Sequence, residues 1–311
     1  MSCRSALLGF ALTAVAILPA SAGDTGFPRS VEHALGTTTI ADEPQRIIAL
    51  IDRDADTLLA LGEQPVAIRS NYNFEAGVGV WAEHLLEDEP IVWGGRELNY
   101  EAIAAADPDL IVFATSGGDA DEYNLLSRIA PTISLPKDAL PWQATTAQTT
   151  RLIAEALGRK ADGEKLLADL DAYMAAQKRA HPEFFGKTAN YLDVHSSGIY
   201  QYADDHIVNG ALYALGFEPI QGALDVADDA ASIVVSPELL PDYDADIVLA
   251  YPFERSLDEL ITEVPTLATL PSIAENRFFL LDNLAFSNAS VLSIPYALEG
   301  LIPQFSAALA E

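Results

Sequence analysis

The stretch NYEAIAAADPDLIVFATS at residues 99–116 has a counterpart, SPELLPDYDADIVLAYPF, at residues 236–253. In both, a glutamate stands eight residues before an aspartate, and an apolar run follows the aspartate; the pairs are Glu101 with Asp109 and Glu238 with Asp246. Each stretch predicts a short helix, a turn and a buried strand. The repeated spacing indicates that the chain has two similar halves.

Strand and helix patterns alternate on both sides of these stretches. The apolar run RIIALI (46–51) is typical of a buried strand, TANYLDVH (188–195) is also predicted as a strand, and ATTAQTTRLIAEALG (144–158) is typical of a helix that ends at a glycine. This order predicts a mostly parallel sheet with helices on its faces in each half. A longer helical pattern, starting at residue 160, has no strand beside it.

These patterns predict the α/β fold class, with two Rossmann-like lobes bridged by one long helix and a ligand cleft between the lobes. The expected boundaries are 23–158 for the N-terminal lobe, 159–185 for the bridging helix and 186–311 for the C-terminal lobe. No flexible Ser-rich or Pro-rich linker separates them, so the connection is expected to be stiff.

Residues 1–22 resemble a cleaved secretory leader, with Arg4 before an apolar run and ASA before Gly23. The lone cysteine of the chain, Cys3, precedes the apolar run, whereas a lipid-anchor cysteine would follow it. We therefore expect secretion to the periplasm without a lipid anchor. The formal charge of −29 disfavours nucleic acid and anionic membranes as partners.

The mature chain resembles the periplasmic substrate-binding proteins of ABC importers for ferric siderophores, haem and cobalamin. The resemblance rests on the segment from HALGTTTI (33–40) through PVAI (65–68), on LNYEAIAAADPDLIVF (98–113), on YNLLSRIAPTISL (123–135), and on NGALYALGF (209–217) with PELLPDYDADIVLAYPF (237–253). It implies a bilobal, non-enzymatic protein, a monomer without a bound cofactor, which delivers an iron chelate to an inner-membrane permease. It also implies that Glu101 and Glu238 dock onto arginines of that permease. Taken singly, each glutamate also fits ordinary chemistry at a helix N-terminus.

Candidate ligand-binding residues follow the predicted strands, because ligands of open α/β sheets bind beyond the carboxyl ends of the strands. In the first lobe they are Arg53, Arg69, Tyr72, Trp93, Arg96, Ser116 and Trp142. In the second lobe they are His195, Tyr200, Tyr202, Tyr251 and Arg255. Arginine forks suit the oxygen donors around a ferric centre, and aromatic rings suit an organic ligand. An ion pair with acidic neighbours is the alternative for each arginine, above all for Arg53 in DRDAD.

Other ligands and another class of function remain open. The five histidines are scattered, which disfavours a directly bound metal. Haem or cobalamin is the alternative ligand, with His195, Tyr200 or Tyr251 as the expected haem ligand. A secreted serine hydrolase that uses Ser116 or Ser196 is an alternative of a different class, and an adhesion module without a small ligand is a third.

Overall fold

The computed structural model describes residues 26–70, 72, 74–95, 97–226, 230, 232–253, 255–281 and 283–310. The predicted leader (1–22) and the predicted site residue Arg96 lie outside these residues. Within the described residues, no helix combines the length and the apolar content needed to cross a bilayer.

The first lobe begins with an antiparallel hairpin of β1 (Arg29–His33) and β2 (Gly36–Ile40). Its main sheet is parallel throughout and has the order β5-β4-β3-β6-β7 among the described residues. The strands are β3 (Ile47–Ala49), β4 (Ala67–Ser70), β5 (Ile91–Gly94), β6 (Leu110–Val112) and β7 (Thr132–Ile133). The helices are α1 (Asp52–Ala60), α2 (Tyr100–Ala105), α3 (Ala120–Leu126) and α4 (Thr146–Ala156), with a 3-10 turn at Glu83–Leu85.

A single long helix, α5 (Lys160–Ala180), follows the first lobe. It packs closely on α4, because a Cβ atom added at Gly163 would lie 2.5 Å from the Cβ of Ala154. The helix ends before His181, where Pro182 starts a 3-10 turn (Pro182–Phe184). A bridging helix is therefore present where one was expected, and the lobe boundaries at 158/159 and 185/186 remain a prediction.

The second lobe has a mixed sheet of order β10-β9-β8-β11-β12. The strands are β8 (Ala189–His195), β9 (Gly198–Tyr202), β10 (Ser232–Val235), β11 (Ile247–Tyr251) and β12 (Phe278–Leu280). The helices are α6 (Ile207–Ala214), α7 (Gln221–Leu224), α8 (Leu257–Glu263), α9 (Pro271–Ala274), α10 (Ala285–Asn288) and α11 (Ser293–Leu309), and 3-10 turns lie at Pro237–Tyr243 and Pro265–Thr269. The chain has two α/β lobes, and the predicted fold class is confirmed.

Two local features of the second lobe differ from the expectation. Strand β9 pairs antiparallel with β8 on one side and with β10 on the other, so this sheet is mixed. The helix expected in the second repeat is a 3-10 helix, Pro237–Tyr243, with Pro241 inside it. Proline lacks an amide hydrogen and clashes with an α-helical turn, which explains this difference.

Buried apolar side chains connect the lobes. One contiguous cluster contains Ile47 and Leu58 of the first lobe together with Tyr191, Phe286 and Phe305 of the second. Burial of this kind contributes roughly 25 cal/mol per Å² of apolar surface. The junction between the lobes is therefore packed as a core.

Candidate functional site

A cavity of about 620 Å³ opens at the carboxyl ends of β4 and β6. Four of the predicted ligand-binding residues line it together, namely Arg69, Tyr72, Ser116 and Trp142. Its volume falls within the range of roughly 300–1,000 Å³ that is common for small-molecule sites. The edge of the sheet where it lies is the edge that parallel topology favours for ligands.

Arg69 is held in place by the backbone of its own lobe. Its Nε donates to the carbonyl of Leu50 at 3.0 Å, and its Nη1 donates to the carbonyl of Gly95 at 3.3 Å. Its Cζ lies 5.7 Å from the centroid of the Phe113 ring, in cation–π range. Burial lowers the pKa of Arg69, while Asp52, Glu122 and Asp54 oppose that shift. The guanidinium is thus positioned before any ligand arrives.

Tyr72 stands where the two lobes face each other. Its amide donates to Asp52 Oδ2 at 3.2 Å, which anchors it to the start of α1. Burial raises the pKa of the Tyr72 hydroxyl to about 12, and the charge of Arg53 opposes the shift while Asp52, Asp193 and Tyr251 add to it. Since Asp193 and Tyr251 belong to the second lobe, Tyr72 is electrostatically coupled to the opposite wall.

The loop that carries Ser116 is anchored by a buried carboxylate. Asp54 accepts hydrogen bonds from the Ala114 amide at 2.9 Å and from Thr115 Oγ1 at 2.7 Å. Burial raises the pKa of Asp54 to about 6, and these hydrogen bonds oppose the rise. The Trp142 amide donates to the Thr115 carbonyl at 3.2 Å, and Trp142 is 46% exposed with a positive φ of 66°. The indole is therefore accessible on a fixed backbone.

The second lobe contributes a wall of tyrosines around a half-buried acid, Asp193. The hydroxyls of Tyr191 and Tyr202 donate to the two oxygens of Asp193, at 2.5 and 2.8 Å. Burial raises the pKa of Asp193, although these two hydrogen bonds oppose it. The rings of Tyr191 and Tyr202 stack with centroids 5.5 Å apart. Tyr202 thus belongs to a fixed network.

The other predicted aromatic residues of this lobe form a second group. The His195 ring lies 4.6 Å from that of Phe253 and 6.4 Å from that of Tyr200, and Tyr251 lies 4.6 Å from Phe253. Ser197 Oγ is 2.9 Å from both His195 Nδ1 and the Tyr200 hydroxyl. The structure therefore brings His195, Tyr200 and Tyr251 together at the carboxyl ends of β8 and β11.

Two predicted arginines are bound by the protein itself. Arg53 is buried, and it donates to the carbonyls of Asn288 at 2.5 Å and Ala144 at 3.1 Å, so it joins the two lobes. Arg255 donates to the Pro252 carbonyl at 2.9 Å and to Glu263 Oε2 at 2.5 Å, and it also contacts the Val194 carbonyl. Arg255 lines a different cavity of about 530 Å³, beside Tyr251. Neither side chain lines the cavity of about 620 Å³.

Trp93 also does not line the cavity of about 620 Å³. It is half-buried on β5 and packs against the cluster that contains Ile48 and Phe113. In the strand register Trp93 lies opposite Arg69, so both side chains are on one face of the sheet, but Trp93 packs against the apolar cluster and does not line the cavity.

A polar junction next to Arg53 also joins the lobes. Asp56 Oδ2 accepts hydrogen bonds from Trp81 Nε1 at 2.7 Å, from Asn288 Nδ2 at 2.8 Å and from Ser290 Oγ at 2.6 Å. Burial raises the pKa of Asp56 to about 7, and the bonds from Ser290 and Trp81 oppose the rise. These buried contacts orient the lobes around the cleft.

Several cavity-lining residues were not predicted from the sequence: Leu98, Phe113, Gly118, Asp119, Glu122 and Pro141. A local signal for two of them was present. Asp119 and Glu122 form a capping box, D-x-x-E, at the start of α3, directly after the exit from β6. A helix that starts at this edge of the sheet directs its first turn toward the cleft.

The two glutamates of the repeat are exposed. Glu101 lies in the first turn of α2, where the Asn99 side chain caps the helix by accepting from the Ala102 amide at 3.0 Å. Glu238 lies in the first turn of the 3-10 helix Pro237–Tyr243. In the described part of the chain, no three acidic, histidine or cysteine side chains are grouped so that they could hold a metal ion.

The fold and the cleft are those of a bilobal solute-binding protein, and the comparisons agree. Residues 47–285 match the periplasmic binding protein family, so the chain belongs to that family, as its sequence predicts. The probable siderophore-binding lipoprotein YfiY of Bacillus subtilis is 28% identical over 234 residues, which cover 73% of this chain and 69% of the relative. The ferric enterobactin-binding periplasmic protein FepB of Escherichia coli is 31% identical over 184 residues, which cover 56% of each chain.

A solved structure supports the same fold. The periplasmic solute-binding protein of Mycobacterium smegmatis superposes with a TM-score of 0.78 at 28% identity. The match covers 90% of this chain and 98% of that one.

Proposed function

We propose that this protein captures a ferric siderophore in the cleft between its lobes and delivers it unchanged to the permease of an ABC importer. The observation that carries the proposal is the cavity at the strand ends of the first lobe, lined by Arg69, Tyr72, Ser116 and Trp142 and coupled to the tyrosine wall of the second lobe. A preformed cavity with few polar groups and several rings suits an organic chelate.

The names of the relatives support this ligand class. YfiY is described as a probable siderophore-binding lipoprotein and FepB as a ferric enterobactin-binding periplasmic protein. In a chelate the siderophore itself supplies the donor atoms to the iron. The protein then needs to recognise only the organic shell of the complex.

Titration with candidate ligands tests the proposal. Ferric siderophores, haem and cobalamin are added separately, and tryptophan fluorescence is followed because Trp142 lies on the cavity wall. We expect at least one ferric siderophore to bind with a Kd below about 10 μM, which corresponds to roughly 7 kcal/mol. Arg69→Met and Trp142→Ala are expected to weaken binding at least tenfold, and calorimetry measures both because Trp142→Ala removes the fluorescent probe. Arg128→Met, at an exposed arginine that does not line the cavity, serves as the matched control. A Soret shift with haem, together with no siderophore binding, would assign haem as the ligand.

The proposal includes the absence of chemical turnover. Ser116 lies on the cavity wall, and Ser196 Oγ lies 3.5 Å from His195 Nδ1, beyond the usual distance of a nucleophile–base hydrogen bond. Incubation with p-nitrophenyl esters is expected to release no product above the rate of a Ser116→Ala, Ser196→Ala variant. Turnover that is lost in this variant would support the hydrolase alternative.

Glu101 and Glu238 are proposed to dock the protein onto the permease. Both side chains are exposed, one in each lobe, and carboxylates pair well with arginine forks. The Glu101→Ala, Glu238→Ala double variant is expected to keep its ligand affinity within twofold and to lose at least tenfold in uptake. Asp258→Ala, which removes an exposed first-turn acid of α8, is the control and is expected to leave uptake unchanged. Normal uptake by the double variant would contradict the docking role.

The predicted location is the periplasm, as a free monomer released by cleavage after Ala22. The relative YfiY is described as a lipoprotein, so the experiment needs to distinguish a free protein from a lipid-anchored one. The mass of the mature protein is expected to match a chain that starts at Gly23 and carries no lipid. Size-exclusion chromatography with light scattering is expected to report the monomer mass.

A further inference from the structure

We infer that the cleft selects ferric complexes without negative charge, and that its ligand class is the neutral or cationic ferric hydroxamates. The inference rests on the proposed function and names the subclass of its ligand. Three hydroxamate groups neutralise Fe³⁺, whereas three catecholates leave a complex of charge −3. The charges around the cleft decide between these classes.

Among the described residues, the candidate arginines bond to the protein itself. Arg53 donates to two backbone carbonyls at the lobe junction, and Arg255 is paired with Glu263 at 2.5 Å. Arg69 does line the cavity, but its Nε and Nη1 donate to the carbonyls of Leu50 and Gly95. A strongly anionic complex needs cationic groups whose hydrogen bonds point at the ligand.

Two carboxylates share the cavity wall with Arg69. Asp119 and Glu122 line it, and each accepts one backbone hydrogen bond from the other, at 2.8 and 3.0 Å. Those bonds hold both carboxylates at the start of α3, toward the mouth of the cavity. The charge of Glu122 also acts on Arg69, as do the charges of Asp52 and Asp54 behind it. In the described residues the cavity wall thus carries one cationic and two anionic side chains.

The charges of the second lobe and of the whole chain also disfavour an anionic ligand. The second lobe presents rings and hydroxyls, with Asp193 as the acid among them. The formal charge of the chain, −29, slows the approach of anions and favours that of cations. Charges interact more strongly near a protein surface than in bulk water, so a local excess of negative charge disfavours an anionic complex.

A ligand series on one scaffold separates charge from shape. Ferrioxamine B is a ferric trihydroxamate with a free ammonium group and a charge of +1, its N-acetyl form is neutral, and its N-succinyl form carries −1. The three complexes and ferric enterobactin (−3) are titrated into the full chain at low and at high salt, with tryptophan fluorescence as the readout. We expect the +1 and neutral complexes to bind at least tenfold more tightly than the −1 complex. We also expect high salt to reduce the preference, because salt screens exposed charges.

Variants that remove charge test whether Asp119 and Glu122 cause the selection. Glu122→Gln and Asp119→Asn keep the capping chemistry of α3, since glutamine at N3 and asparagine at the N-cap serve the same roles. Together they are expected to reduce the preference for +1 over −1 by about threefold to tenfold. Glu259→Gln is the matched control, because Glu259 has the same capping role in α8 and does not line the cavity. It is expected to leave the preference unchanged.

The outcomes distinguish the inference from the function on which it rests. Equal or tighter binding of the −1 complex or of ferric enterobactin overturns the charge selection and leaves siderophore capture intact. An unchanged preference in the Glu122→Gln, Asp119→Asn variant overturns the assignment to these residues. If no ferric complex binds at all, the proposed function fails, and the inference fails with it.

Discussion

The two copies of the repeated segment begin alike and end differently. At the start, Asp109 accepts hydrogen bonds from the amides of Gln45 and Arg46, and Asp246 accepts one from the Thr188 amide. In both lobes this aspartate therefore ties its own strand, β6 or β11, to the entry of the neighbouring strand, β3 or β8. The shared spacing has a structural cause that is independent of any partner.

Side chains of opposite charge anchor the backbone that follows β6 and β11. After β6, the carboxylate of Asp54 accepts from the backbone amide of Ala114. After β11, the guanidinium of Arg255 donates to the backbone carbonyl of Pro252. The first exit leads to the polar cavity wall at Ser116, and the second leads to the aromatic group at Tyr251 and Phe253. The comparison teaches that one repeated motif supports two different ligand-facing walls, because each exit is anchored by other parts of its lobe.

The largest expected effect is a difference in the sign of pH dependence. Burial raises the pKa of Asp54 to about 6, so its contribution to the free energy of unfolding is complete below about pH 4 and is lost as the pH rises through 6. The loss amounts to about 3 kcal/mol at about 1.4 kcal/mol per pKa unit. Burial alone would raise the pKa of Asp246, but the bonds from Thr188 and the charges of Lys187 and Arg277 lower it. Its contribution is therefore lost as the pH falls through its folded pKa.

Urea unfolding between pH 2 and pH 8 measures both contributions as differences between wild type and variant. Relative to wild type, Asp54→Asn is expected to gain stability as the pH rises from 4 to 7, and Asp246→Asn is expected to lose it as the pH rises from 2 to 5. Asp56 titrates with the same sign as Asp54 and remains present in both comparisons. Parallel pH profiles for the two variants would show that the lobes do not differ in this way.

An intermediate effect is expected at the shared aspartates. Asp246→Ala removes the two hydrogen bonds from the Thr188 amide and hydroxyl and the ion pairs with Arg277 at 3.1 Å and Lys187 at 3.7 Å, and we expect a loss of about 2 kcal/mol. Asp109→Ala removes two backbone hydrogen bonds at an exposed site, and we expect about 1 kcal/mol. Denaturant midpoints at pH 7 compare them directly. A larger loss at Asp109 than at Asp246 would reverse this part of the comparison.

The smallest effect is expected at a single bond of the first exit. Thr115→Val removes the hydroxyl that donates to Asp54 at 2.7 Å, with an expected cost of about 1 kcal/mol. Because that bond lowers the pKa of Asp54, its loss is expected to raise the pKa further. NMR titration of the Asp54 carboxyl carbon measures this shift, and Thr262→Val, at an exposed site on α8, is the control. An unchanged pKa would show that Thr115 does not tune the carboxylate.

Much of the fold was predictable because its signals are local. RIIALI is a continuous apolar run that only a buried strand explains well, and Gly158 and Gly216 follow the ends of α4 and α6 with positive φ. The antiparallel β9 was missed, although GIYQY alternates between half-buried and buried positions. Tyr200 and Tyr202 were predicted to follow the end of a strand, whereas Ser196 and Ser197 form a turn after β8 and both tyrosines lie within β9.

The sequence by itself determined the two-lobed α/β class and the family. It also placed Arg69, Tyr72, Ser116 and Trp142 among the candidates at strand ends, because strand ends at one sheet edge converge whatever the distant contacts are. Only the tertiary structure decided which arginines remain on the cleft. The Arg53 guanidinium bonds to Asn288, 235 residues away, and Arg255 bonds to the end of β8. Such partners lie outside any local pattern, because burial of a charge is decided by whatever the completed fold brings beside it.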